Sequence, residues 1–239
     1  MAICDIAGEM EYIDHPLGTV QELEAVAQAV RDAGRRCVSQ PCDVRKPEQV
    51  RSFVAQAMSE FGRIDIAIAN AGVGSNGGFT EMSVGRWSAT VDTNLSGAFY
   101  VCKYAATPMI AARSGRIIVT GSIASLGGLG RCAAYTASKH GIVGLVKGFA
   151  LELAPHGVTI NVVCPTAVDT PMNVQLEAGN ETAVSWNADA TRVIGSWNLF
   201  GDGMIDAREI TEAMMWLASR DAHGVNGMAL RVDGGCTCK

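Results

Sequence analysis

The sequence predicts an α/β fold in which a parallel sheet is covered by helices on both faces. Three observations carry that expectation. Strand-like and helix-like segments alternate almost to the C-terminus through short connections. The runs Ile64 to Ala69 (IDIAIA) and Val158 to Cys164 (VTINVVC) are largely apolar and bounded by turn residues, as parallel strands buried on both faces are. At 239 residues the chain is long enough for one large domain with a well-buried core.

The elements follow in order. Ala2 to Asp5 reads as a short apolar strand ending on an acid. Thr19 to Ala33 is an amphipathic helix stopped by Gly34, and Arg35 to Gln40 is the next strand. Pro47 suits a first helical position, and Glu48 to Phe61 continues that helix to Gly62. After IDIAIA, a long helix runs from about Ser83 to Ala112, followed by the strand Arg116 to Ser122 (RIIVTGS). A second long helix covers Ala133 to Ala154, and VTINVVC follows it. Asp206 to Ser219 is a helix and Met228 to Val232 a last strand. With no internal repeat or linker, residues 1–239 are expected to form one domain. Met172 to Met204 lacks a period and carries Trp186, Trp197 and Phe200 after a strand's C-terminal end, the pattern of a substrate lid or binding loop.

Composition narrows the function. Hydrophobic residues make up 48% and charged residues 18%, which describes a packed chain and not a disordered one. A net charge of -5 and the absence of a basic run argue against nucleic-acid or anionic-lipid partners. No stretch approaches the ~20 apolar residues needed to span a bilayer, and no signal-peptide pattern is visible. Eight cysteines, most in apolar runs, suit reduced thiols in a cytoplasmic protein. The terminal Cys236–Cys238 pair lacks a second ligand pair and is expected to be a frayed tail, with no metal site. The segment FGDGMIDAREI resembles half a calcium loop, but Phe200 would take a ligand position, so Asp206 to Glu209 reads instead as the acidic first turn of a helix. The four dispersed histidines read as structural.

The chemistry concentrates in YTASK, Tyr135 to Lys139. Residues four apart share a helix face, so the Lys139 ammonium can sit beside the Tyr135 phenol and favour its phenolate. A tyrosine tuned in this way exchanges a proton with an alcohol or a ketone. Ser122 ends a buried strand at the sheet edge where a substrate oxygen would lie. Asn94, in DTNLSGAF, is a poor helix former inside a long helix, able to open the backbone enough to hold a water.

With these residues in view, the sequence closely resembles the short-chain dehydrogenase/reductase family. The likeness rests on Asp43–Val44, Asn70 to Gly72 (NAG), the Asn94 helix, Ser122, YTASK, the run Pro165 to Met172 (PTAVDTPM) and Val232 to Gly235 (VDGG), in the family's order and spacing along the whole chain. The resemblance implies a Rossmann-like doubly wound sheet and a catalytic set of Asn94, Ser122, Tyr135 and Lys139. Tyr135 would be the general acid/base. Lys139 would lower its pKa and hold the nicotinamide ribose, Ser122 would polarise the substrate oxygen, and Asn94 would position a relay water. Asp43 and Val44 would border the adenine, and Asn70, Ala71 and Gly72 would let the backbone approach the cofactor. Val168 would meet the carboxamide and Thr170 the phosphates. Thr166 stands where the family often has glycine.

Asp5, with Ile6 beside it, falls where the family's second strand ends. A carboxylate there accepts hydrogen bonds from both ribose hydroxyls and repels a 2′-phosphate, which favours NAD over NADP. A finer resemblance, through EYIDHPLGTVQEL, ANAG, SKHGIVGL and PT…VDTPM, is to the mycofactocin-coupled, carveol-dehydrogenase-like subgroup. It implies a secondary alcohol or ketone on an apolar, often cyclic molecule. The family's long helices pair between subunits, implying a homodimer or homotetramer.

One family feature has no counterpart. The glycine-rich strand-turn-helix that holds pyrophosphate should precede Asp5, yet only four residues do. The expectation is therefore an N-terminally truncated Rossmann-like sheet, opened at its middle with two bared strand edges, and NAD binding weakened or lost if the truncation is genuine. Besides NAD-linked hydride transfer, two readings stay open. One is acid/base chemistry without nicotinamide, as an isomerase, dehydratase or lyase. The other is a non-catalytic subunit.

Overall fold

The computed structural model describes residues 1–174, 198–201 and 203–238. Most of the expected lid, Met172 to Met204, lies outside the described residues. Among the described residues six strands alternate with seven α-helices: β1 (Ala2–Asp5), α1 (Val20–Asp32), β2 (Val38–Pro41), α2 (Pro47–Phe61), β3 (Ile66–Ala69), α3 (Val84–Val91), α4 (Ala98–Ala112), β4 (Gly115–Thr120), α5 (Ala133–Leu153), β5 (Val158–Pro165), α6 (Pro171–Val174), α7 (Ala207–Ala218) and β6 (Ala229–Val232). All pairings between these strands are parallel.

The strands form two sheets, β1–β2 and β3–β4–β5–β6, with no ladder between β1 and β3. Ile66 and Ile68, on the outer strand β3, are 45% and 46% exposed, as edge-strand side chains are.

Local chemistry explains the element ends. Thr19 caps α1 in a reciprocal capping box with Glu22. Pro47 opens α2, and Gly62 closes it in the left-handed conformation. Asp206 caps α7 by accepting from the Arg208 N–H at 2.7 Å, so the acidic stretch serves the helix start. The expected strand Arg35 to Gln40 shifts to Val38–Pro41, where its pairing with β1 places Asp5 opposite Pro41.

Two further expectations need correction. The single helix from Ser83 to Ala112 is interrupted: Asp92 to Gly97 form a π-helical turn between α3 and α4. The C-terminal cysteine pair is not a frayed tail. Cys236 is 2% exposed, its N–H donates to the Asp233 carbonyl at 2.9 Å, and the Asp233 carboxylate binds the Gly235 and Thr237 N–H groups.

The central strands β4 and β5 are buried on both faces. Ile117, Val119, Ile160 and Val162 pack against Met109 of α4 and against Ile142 and Val146 of α5. On the other face Ile118 and Val163 meet Ile205 and, from α7, Ile210 and Leu217. The two-stranded sheet joins the rest through Cys42, Val44 and Val50, which pack with Tyr100, Val101 and Tyr104 of α4. Gly97 permits this approach, because a Cβ there would stand 2.7 Å from Val44 Cγ2.

Candidate active site

The C-terminal ends of β1 to β5 all reach one cavity of about 730 Å³, within the range of small-molecule sites. Its walls bring together the sequence-predicted residues Asp5, Ile6, Asp43, Val44, Asn70, Ala71, Gly72, Ser122, Tyr135, Lys139, Val168 and Thr170. Asn94 stands directly behind the wall: a Cβ on Gly72 would lie 3.3 Å from Asn94 Oδ1 and 3.6 Å from Lys139 Nζ.

At one end the Ser122 hydroxyl sits near enough to the Tyr135 phenol to favour its phenolate form. Ser122 caps a 3-10 turn, its Oγ accepting from the Ala124 N–H at 3.1 Å, which fixes the hydroxyl at the end of β4. Lys139 is buried; its Nζ donates to the Thr120 carbonyl at 2.8 Å and lies 5.5 Å from the Tyr135 ring centroid. The i, i+4 spacing on α5 thus sets both groups on the same wall.

The electrostatics correct the sequence reading. Lys139 was expected to lower the Tyr135 pKa, but burial pushes the phenol up to about 12, against the opposing influence of the Ser122 hydroxyl. Burial likewise brings Lys139 down to about 8. Desolvation disfavours both charged forms and is the largest influence on each.

Asn94 sits within the π-helical turn, where the backbone is opened. Its side chain is anchored three ways: Oδ1 accepts from the Val73 N–H at 2.8 Å, and Nδ2 donates to the Val73 carbonyl at 3.0 Å and to Ser138 Oγ at 3.1 Å. The amide thereby clamps the NAG segment.

At the other end the Asp5 carboxylate accepts from the Ala7 N–H at 2.8 Å. Gly18 lies against it, since a Cβ there would stand 2.8 Å from Asp5 Oδ1. The Asp43 carboxylate is held by Arg45 through contacts of 2.8 to 3.1 Å. Burial raises the Asp43 pKa, but the Arg45 guanidinium and N–H prevail and hold it below the usual range. The Val168 carbonyl accepts from Asn173 Nδ2 at 2.8 Å and from Thr170 Oγ1 at 3.3 Å, shaping that wall.

Sequence reasoning missed a strap. Met10, His15, Pro16, Leu17 and Gly18 line the cavity, as do Thr211, Met214 and Met215 of α7. The strap is pinned at three points. His15 Nε2 accepts from the Gly74 N–H at 3.0 Å, Asp14 pairs with Arg86 at 2.6 Å, and Met10 packs with Val73 and Ala89. The only sequence sign of it was the irregular EYIDHPLG between strand and helix.

Comparison with known proteins identifies the family. The family model for enoyl-(acyl carrier protein) reductase matches residues 17–237. A solved short-chain dehydrogenase from Mycobacterium paratuberculosis, bound to NAD, superimposes with a TM-score of 0.92 at 28% identity, over 100% of this chain and 88% of that one. The chain belongs to the short-chain dehydrogenase/reductase family. Within the family it is similar to (-)-trans-carveol dehydrogenase of Rhodococcus erythropolis, 34% identical over 248 aligned positions, covering 99% of this chain and 88% of the relative. It is also similar to carveol dehydrogenase from Mycobacterium avium in complex with NAD, with a TM-score of 0.90 at 30% identity over 100% of this chain and 88% of that one. Short-chain dehydrogenase/reductases are oxidoreductases, and the Rossmann-like parallel architecture accords with that membership.

Proposed function

We propose that this chain transfers hydride between NAD and a secondary alcohol or ketone on a small apolar, cyclic molecule, with Tyr135 as the general acid/base. The observation that carries the reading is the Ser122–Tyr135 hydroxyl pair beside Lys139, in the same cavity that has Asp5 at its far end.

The residues fit the dinucleotide at both ends. Asp5 has carboxylate acceptor capacity beyond its Ala7 bond for two ribose hydroxyls, and Gly18 leaves room that a side chain would fill. Asp43 and Val44 flank the adenine position, and Asn70 to Gly72 with Val168 and Thr170 border the path to the nicotinamide. Lys139 spends one N–H on Thr120, leaving two donors for the second ribose. Bound there, the nicotinamide supplies or accepts the hydride. Ser122 and Tyr135 grip the substrate oxygen between their hydroxyls. The Tyr135 phenol, protonated at neutral pH, donates its proton to a ketone oxygen in reduction and recovers it from the alcohol in oxidation. Asn94 keeps the NAG wall in place and presents the opened backbone of its turn to a relay water. The apolar cavity residues Met10, Leu17, Met214 and Met215 suit an apolar substrate.

Calorimetric titration with NAD and NADH tests the assignment and measures how firmly this chain holds the pyrophosphate. We expect saturable binding, weakened about tenfold or more by Asp5→Ala, together with oxidation of a carveol-type alcohol coupled to NADH formation. A folded sample that binds neither nucleotide at millimolar concentration overturns hydride transfer and leaves nicotinamide-free acid/base chemistry or a subunit role.

The proposed assembly is a homodimer or homotetramer paired through α4 and α5. Light scattering should give twice or four times the mass of 25.1 kDa at micromolar concentration; a monomer contradicts it.

A further inference from the structure

We propose that Cys4 and Cys42 are an oxidisable dithiol that closes to a reversible disulfide in the wall of the cavity. In the β1–β2 ladder Cys4 lies opposite Gln40. Cys42 comes two residues after Gln40, so its side chain shares that face. The Cys42 N–H donates to the Asp5 carbonyl at 2.7 Å, carrying the ladder one rung past β2. Cys4 packs against the cluster that contains Cys42, Val44 and Val50, so the two side chains meet on that face.

The pair is chemically unequal. The Cys42 contact and burial push the Cys4 thiol up, whereas the contact with Cys4 holds Cys42 below its usual value. Cys42 is therefore the sulfur that ionises first and attacks. Although buried, it lines the cavity, which gives a small oxidant its route. With a peroxide the step balances in two stages. The Cys42 thiolate attacks the O–O bond and becomes a sulfenic acid as one water leaves. The Cys4 thiol then displaces the sulfenic oxygen as a second water, and the S–S bond forms. Two thiols lose two protons and two electrons, and the peroxide takes them up as it becomes two waters. The bridge would tie together the residues immediately before Asp5 and Asp43.

The test is peptide mapping of the purified chain after stoichiometric hydrogen peroxide, with free thiols alkylated before digestion. The expected product is a Cys4–Cys42 cross-link that dithiothreitol reverses. Trypsin leaves Cys37 and Cys42 on one peptide (CVSQPCDVR), so fragmentation must assign the sulfur. In Cys4→Ser the cross-link disappears, and dimedone traps Cys42 as the sulfenic acid. Cross-linking of Cys4 to Cys37 overturns the proposal. So does full alkylation of both Cys4 and Cys42 under conditions that oxidise the exposed Cys238.

Discussion

Tyr135→Phe is expected to lower turnover by about 10²–10⁴-fold, the usual contribution of a positioned proton donor, while leaving NAD binding and folding near wild type. The substitution removes one hydroxyl. The ring remains beside Lys139, and Ser122 keeps its bond from the Ala124 N–H. What disappears is the proton that must reach the ketone oxygen, so the loss should fall on kcat and not on nucleotide affinity. Steady-state kinetics beside calorimetry read the two separately. A Tyr135→Phe enzyme keeping more than a tenth of wild-type turnover would remove Tyr135 from the acid/base role. Because burial holds the phenol up to about 12, ketone reduction by the wild type should not lose activity through Tyr135 ionisation between pH 7 and 9.

The parts of this site that were legible in the sequence are those set by local period. Tyr135 and Lys139 share a face because they are one helical turn apart on α5, and Ser122 lies just past the end of β4, where an apolar run stops. Asn94 stood out as a poor helix former, and the π-helical turn is its structural counterpart. The strap was illegible for the opposite reason. Met10, Asp14 and His15 are held by Thr93, Arg86 and Gly74, contacts spanning 83, 72 and 59 residues that no periodicity announces. The direction of the Tyr135 shift was hidden too. Spacing shows that a cation is near, but burial decided the sign, and burial is a property of the packed cavity. The thiols belong to two chain segments joined through a helix, so neither cysteine was distinguishable from other core thiols until the ladder put them on one face and the packing grouped them.

Lys139→Met should separate stability from activity, making the chain inactive and, at neutral pH, more stable. Turnover should fall by about two to three orders of magnitude, since the ammonium beside the phenol and its donors to the ribose are lost together. Stability should rise because the native fold keeps that ammonium out of water. The difference between its ordinary 10.5 and about 8 corresponds to roughly 3 kcal/mol of disfavoured charge. Loss of the 2.8 Å bond to the Thr120 carbonyl returns about 1–2 kcal/mol, leaving a net gain of about 1–2 kcal/mol at pH 7. The pH dependence distinguishes this cause from simple repacking. Between about 8 and 10.5 the unfolded wild type holds one more proton than the folded wild type, so wild-type stability climbs with pH across that window. Tyr135 acts in the opposite sense only between about 10 and 12, where the folded state holds the extra proton. The methionine variant has no proton to exchange at position 139, so its advantage should shrink between pH 7 and pH 9.5. Urea unfolding at the two pH values measures it, and an advantage that stays constant would show that the buried ammonium is not what the wild type is carrying. In the proposed reaction the buried ammonium would hold a ribose and face a phenol, so the destabilising charge is stability given up for chemistry.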